Sequence, residues 1–343
     1  MRRKFIILSA AILAVCAAGC GSENNEDPVP ARTSYTNPLS AVPIGDPTFV
    51  KGDDGYFYLY SSEEVRGMPI MRSANLTDWK QIGIVFSDAR RPKLDGMTEG
   101  GLWAPDVSRL GDRYIMYYAY APANSVDGWG HGIGVAEADR PEGPWTDKGR
   151  LFLGGEIGVK WSIDPCFVHE DDGSNWLLWG SYYGIWAIEL SADGLSVKPG
   201  AEKVRLAGKD GYGIEGAMIH KKDGKYYLFL SHGGTEYNEH YKLGVAVSDN
   251  LLGPYLNKAG KSVADGAPVD FFLAAGNGFI SPGHCSEIFT DKNGTDWVFY
   301  HAWVEGHPEY RRLLMLDKIV WNDGWPSISD GYPTYESKEV PAL

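Results

Sequence analysis

Asp46 in GDPTFV, Asp164 in IDPCFV and Glu215 in IEGAMI each head a short apolar run of the kind that forms a buried strand. An ionisable side chain in such a place costs stability unless it is paired or put to use. Two carboxyl groups facing one another across a sugar-sized pocket can hydrolyse a glycosidic bond. One protonates the leaving oxygen, and the other activates water or attacks the anomeric carbon. The acid has to keep its proton near neutral pH, which neighbouring negative charge or desolvation achieves. A third carboxylate beside it supplies that charge. Glu215 suits the acid, because Glu reaches one methylene further than Asp and the adjacent glycines allow close approach of a substrate. Asp46 and Asp164, both in Asp-Pro pairs, share the roles of base and modulator.

Something must bring these distant residues together, and internal repetition supplies it. Five stretches begin with a polar leader, run through a short apolar strand, turn, and return as an aromatic-rich strand: DPTFVKGDDGYFYLYSS, APDVSRLGDRYIMYYAYA, DPCFVHEDDGSNWLLWGS, EGAMIHKKDGKYYLFLSH and HCSEIFTDKNGTDWVFYHAW. The turns at Asp54-Gly55, Asp172-Gly173, Asp223-Gly224 and Asn293-Gly294 are strong hairpin signals. A third strand follows each hairpin, with room for a fourth, and no amphipathic helix intervenes. Such units, repeating at propeller-like intervals, predict an all-β fold: a five-bladed β-propeller of four-stranded antiparallel blades around a central axis. With Asp46, Asp106, Asp164, Glu215 and His284 as leaders of the innermost strands, four acids and a histidine converge at one end of the axis.

Composition narrows the partners. A formal charge of −13 over 343 residues argues against nucleic acid, whose phosphates need a cationic surface. The 12 Trp, 20 Tyr and 12 Phe suit a β core and equally the C–H faces of sugar rings. The N-terminus reads as an export leader over 1–20: basic Arg2-Arg3-Lys4, an apolar run from Phe5 to Ala14, then Ala17-Ala18-Gly19-Cys20. Small residues before Cys20 resemble a lipobox, predicting lipidation of that cysteine and an outer-membrane anchor on the periplasmic or cell-surface side. Residues 21–40 read as a flexible tether and 41–343 as the propeller. Cys166 and Cys285 form neither a metal cluster nor a disulfide framework and are expected as small buried residues.

The leader motifs carry a family resemblance. Gly45-Asp46-Pro47, Leu102-Trp103-Ala104-Pro105-Asp106-Val107, Ile163-Asp164-Pro165, Ile214-Glu215-Gly216 and Gly283-His284 resemble glycoside hydrolase family 43, in order and one per blade. Within it, the pattern is most similar to that of endo-α-1,5-L-arabinanases, including the late YHAW…RRLLMLDKIVWNDGWP. The resemblance implies an inverting reaction with Asp46 as general base, Glu215 as general acid, and Asp164 orienting Glu215 and raising its pKa. In such a reaction the base and acid stand about 6.5–9.5 Å apart, leaving room for water. It also implies a cation, usually calcium, near His284, reached directly or through water. Trp103, Asp106, Trp129, Ser181, Tyr182 and Arg312 are the expected substrate contacts, and Trp161 is expected to narrow the pocket. The expected partner is plant cell-wall polysaccharide or its oligosaccharides, acted on by a monomer. Exo-acting α-L-arabinofuranosidase or β-xylosidase activity stays open at this stage, as does a non-catalytic glycan-binding propeller.

Overall fold

The hairpin signals become turns between the first two strands of a blade, with glycine at positive φ: 86° at Gly55, 85° at Gly173, 76° at Gly224 and 78° at Gly294. Glycine enters that region without the Cβ penalty other residues meet. The computed structural model describes residues 32–93 and 99–343. The expected leader, Cys20 and the first part of the tether lie outside the described residues.

Five antiparallel sheets follow in chain order. Blade one comprises Thr48–Lys51, Phe57–Tyr60, Pro69–Ser73 and Lys80–Ile84; blade two comprises Gly101–Leu110, Arg113–Ala121, Gly132–Ala138 and Thr146–Leu153. Blade three runs through Cys166–His169, Asn175–Trp179, Ile185–Leu190 and Val204–Ala207; blade four runs through Ile214–Lys222, Lys225–His232, Lys242–Ser248 and Asp270–Leu273. In blade five the innermost strand is split into Phe279–Gly283 and Phe289–Thr290, both paired with Asp296–Val304, and Leu313–Asn322 and Trp325–Ile328 complete the sheet. The expected five-bladed propeller is the fold. Among the described residues, helix is limited to single turns at Gly154–Ile157 and Pro308–Tyr310.

The core lies between neighbouring blades. Tyr117 of blade two stacks on Phe167 of blade three, with ring centroids 5.3 Å apart. Phe49 of blade one meets Phe299 of blade five edge-to-face at the same distance. The abundant aromatics are therefore largely structural, each worth on the order of 1.5–3 kcal/mol when buried. Cys166 and Cys285 are buried and unpaired, as expected.

The tether boundary shifts. Tyr35–Thr36, expected within the 21–40 linker, forms a short strand against Glu336–Ser337. The buried Asn37 side chain donates to the carbonyls of Leu316 (2.9 Å) and Thr334 (2.9 Å) and accepts from the Leu316 N–H (3.1 Å). The Ser40 hydroxyl accepts from the Leu314 N–H. Polar residues and a proline made this segment look solvated, yet Asn37 and Ser40 meet backbone partners on blade five and in the segment after it. It fastens the start of the propeller region to the C-terminal segment.

Candidate active site

The innermost strands do not begin smoothly. One residue near the head of each adopts left-handed φ: Asp46 (54°), Ala104 (40°), Asp164 (56°), Gly216 (59°) and His284 (48°). The ladder slips beside these heads in blades two, four and five. Outside glycine such a backbone costs about 1–3 kcal/mol and persists where surrounding structure holds it. Asp46-Pro47, Ala104-Pro105 and Asp164-Pro165 are thus equivalent, which corrects the alignment drawn from sequence. The leader of blade two is Ala104, and Asp106 lies two residues further along the strand. There Asp106 is buried, accepts the Phe167 N–H at 2.8 Å and faces Glu287, whose charge adds to burial in raising its pKa. It does not line the cavity, so its expected substrate contact falls away.

Asp46, Asp164, Glu215 and His284 line one cavity of about 600 Å³ at the end where the inner strands begin. Burial alone would raise the pKa of Asp46, but its partners hold the carboxyl well below the usual range. Arg312 Nη1 donates to Oδ1 at 2.8 Å, and the Ser62 hydroxyl makes a short hydrogen bond to Oδ2. His284 Nδ1 and His301 Nδ1 lie 3.3 and 3.4 Å from Oδ1, and His301 Nδ1 also accepts the Asp46 N–H. Burial lowers the pKa of both imidazoles, so Arg312 is the dominant positive charge near neutral pH. Asp46 is an ionised carboxylate, as a base requires.

Glu215 has the opposite setting. Burial raises its pKa, with the charge of Asp46 adding, against hydrogen bonds from Ser181 Oγ (2.6 Å) and Tyr241 Oη (2.8 Å). Asp164 is raised well above the carboxylate range by burial, then by the charges of Glu215 and Asp46. Its Oδ2 accepts the Gly216 N–H at 3.0 Å, gripping the peptide directly after Glu215. Burial and mutual repulsion therefore favour the neutral form of both carboxyls more than at an exposed site. A base kept charged and an acid kept protonated on one cavity can carry out general acid/base chemistry.

The other expected residues divide. Trp103 and Tyr182, 38% and 40% exposed, line the cavity with Trp161, the residue expected to narrow it. Trp103, His131, Trp161 and Tyr182 form a succession of rings with centroids 6.0, 4.4 and 6.5 Å apart. Ser181 also lines the cavity, where its hydroxyl donates to Glu215. Arg312 lines the cavity, but its guanidinium is shared between Asp46 and Glu64. Trp129 lines a neighbouring pocket instead. Among the described residues, no group of three or more His, Cys, Asp or Glu side chains could hold a metal ion. His284 is turned toward Asp46, so the side chains present do not fit a directly ligated cation.

Ser62, Tyr241 and His301 were missing from the expected set. Ser62 follows the second strand of blade one and looks like any strand-end serine. Tyr241 sits just before Lys242–Ser248, after a loop whose path the sequence does not reveal. His301 left a usable signal, as a lone imidazole within the apolar strand DWVFYHAWV.

The fit around Asp46 is tight enough to test at its neighbour. A Cβ on Gly45 would stand 2.3 Å from the Arg312 guanidinium carbon. Gly45→Ala is therefore expected to displace Arg312 and release Asp46 toward an ordinary carboxylate pKa. The acid limb of the pH–rate profile should then rise by about 1–2 units, read from kcat/KM against pH.

A five-bladed propeller with matched carboxyls at the mouth of its axis is the build of a glycoside hydrolase. The model of Glycosyl hydrolases family 43 matches residues 35–326, and the chain belongs to that family. It is 28% identical over 335 residues to an extracellular endo-alpha-(1->5)-L-arabinanase of Thermotoga petrophila, covering 82% of this chain and 69% of the relative. The alpha-L-arabinanase of Cellvibrio cellulosa superimposes with a TM-score of 0.72 at 25% identity, over 84% of this chain and 96% of the other. An exo-1,5-alpha-L-arabinanase from a bovine ruminal metagenomic library gives 0.71 at 26% identity, over 84% and 97%.

Proposed function

We propose that this enzyme cleaves α-L-arabinofuranosidic linkages in arabinan or arabino-oligosaccharides with inversion. The observation that carries this reading is the meeting of Asp46, Asp164 and Glu215 on one cavity, with Arg312 and Ser62 bonded to Asp46 and Ser181 and Tyr241 bonded to Glu215. Asp46 accepts a proton from water as the water attacks the anomeric carbon. Glu215 delivers its proton to the departing oxygen, and the C–O bond breaks. Asp164 positions Glu215 through the Gly216 peptide, while burial and the charge of Asp46 oppose ionisation of Glu215. Arg312 and Ser62 keep Asp46 charged and aimed. A cation beside His284 would be held through water, and no step requires it.

Relatives named as extracellular arabinanases, together with the leader-like residues 1–20, support action outside the cytoplasm. Lipidation of Cys20 and a monomeric state belong to the same proposal. The decisive experiment is digestion of linear arabinan followed by proton NMR and product sizing. The expected result is that the first-formed anomer is inverted and that arabino-oligosaccharides accumulate. Arabinose as the sole product would favour exo action, consistent with Trp161 lining the cavity. Activity on xylo-oligosaccharides alone, with none on arabinan, would overturn the substrate assignment.

A further inference from the structure

A second pocket of about 340 Å³ adjoins the first through Tyr183, which lies between two residues, Tyr182 and Gly184, at the turn leading into blade three's third strand. It contains an unexpected charge. Lys160, Lys203 and Arg205 border it, against the single acid Asp210, on a chain whose formal charge is −13. Arg205 pairs with Asp210 at 3.0 Å. Among the described residues, Lys160 and Lys203 make no salt bridge. They are held over aromatic faces instead: Lys160 Nζ lies 5.2 Å from the Trp129 ring and 5.5 Å from Tyr183, and Lys203 Nζ lies 5.4 Å from Trp186. The Arg205 guanidinium covers Trp186 at 4.6 Å.

Cations resting on rings gain about 0.5–1 kcal/mol at exposed sites, and their outward N–H groups remain free to meet an anion. Trp129, 41% exposed, presents a plane on which the C–H face of a sugar ring can lie. A small inorganic anion would use the lysines and leave the indoles idle, whereas a neutral sugar would use the indoles and leave two unpaired ammonium groups. A ring bearing a carboxylate uses both. We propose that this pocket binds a uronic-acid residue, its ring against Trp129 and its carboxylate between Lys160 and Lys203. Tyr183 borders both pockets and sets them side by side, so the natural ligand is a glycan carrying a uronate near the pentose linkage that is cut. The pentose half of that statement rests on the arabinan reading above; the uronate half does not.

The test is titration calorimetry of the wild-type protein with tri-galacturonate, alongside arabinotriose, inorganic phosphate and sulfate. Tri-galacturonate is expected to bind, and its affinity to fall as sodium chloride is raised. The Lys160→Met/Lys203→Met double variant, which keeps the aliphatic stems, should lose about tenfold or more in that affinity. Its turnover of neutral arabino-oligosaccharides should be unchanged, which also reports that it is folded. Trp129→Ala is the second variant and should weaken tri-galacturonate with no comparable effect on sulfate. No binding of tri-galacturonate to wild type, unchanged affinity in the double variant, or equal binding of phosphate and sulfate would each overturn the proposal. Loss of arabinan as a substrate with tri-galacturonate binding intact would sink the arabinan reading and leave this one standing.

Discussion

Glu215→Gln is expected to lower kcat on unactivated arabino-oligosaccharides by about 10²–10⁴-fold, the usual contribution of a general acid. Gln keeps the size of the side chain and an acceptor oxygen for Ser181 or Tyr241, so oligosaccharide affinity should change little. The same variant should recover much of its activity on an aryl arabinofuranoside whose leaving group departs without protonation. The pH profile adds a signed check. Burial raises the pKa of Glu215, so its proton is present below that raised value and lost as pH climbs through it. The wild type should therefore show a basic limb above the ordinary carboxylate range, and Glu215→Gln should flatten it. An unaltered basic limb in the variant would assign the titration to another group.

Asp46→Asn is the second large effect and should look different. The base is lost, so activity should fall by a comparable factor, with no rescue by an activated leaving group, because attack of water rather than departure becomes limiting. Opposite responses of the two variants to leaving-group quality would assign the two roles, and identical responses would refute the assignment. Asp46→Asn should also cost stability, which Glu215→Gln should largely avoid. Arg312 is largely enclosed between the buried Asp46 and Glu64, and removing one carboxylate leaves half its compensation missing. Breaking such a buried pair costs about 3–5 kcal/mol, measurable by urea denaturation. Arg312→Met in the Asp46→Asn background should recover part of that loss.

The propeller could be read before any coordinates because its signals are local. Asp-Gly and Asn-Gly turns, aromatic return strands and the absence of helical periodicity each depend on a few adjacent residues. Repetition five times along the chain then makes the higher-order arrangement almost the only way to bury the sheets' faces. The convergence of Asp46, Asp164 and Glu215 followed from the same repetition. Asp106 shows how far that reasoning reaches. A proline two residues too early was available as a signal in Ala104-Pro105, but an acid made the more tempting leader, and only the left-handed φ at Ala104 shows which residue is equivalent to Asp46.

What the sequence determined by itself is the number and kind of sheets and which carboxylates head the inner strands, since turn chemistry and strand patterning are carried by neighbours in the chain. What only the tertiary structure decided is the protonation of those carboxylates and who surrounds them. Arg312 reaches Asp46 from the last blade, Ser181 meets Glu215 from blade three and Tyr241 from just before a later strand of its own blade, and Trp129 turns into a second pocket beside two lysines. Electrostatics depends on distance and burial in space, and neither is written in the order of residues along the chain.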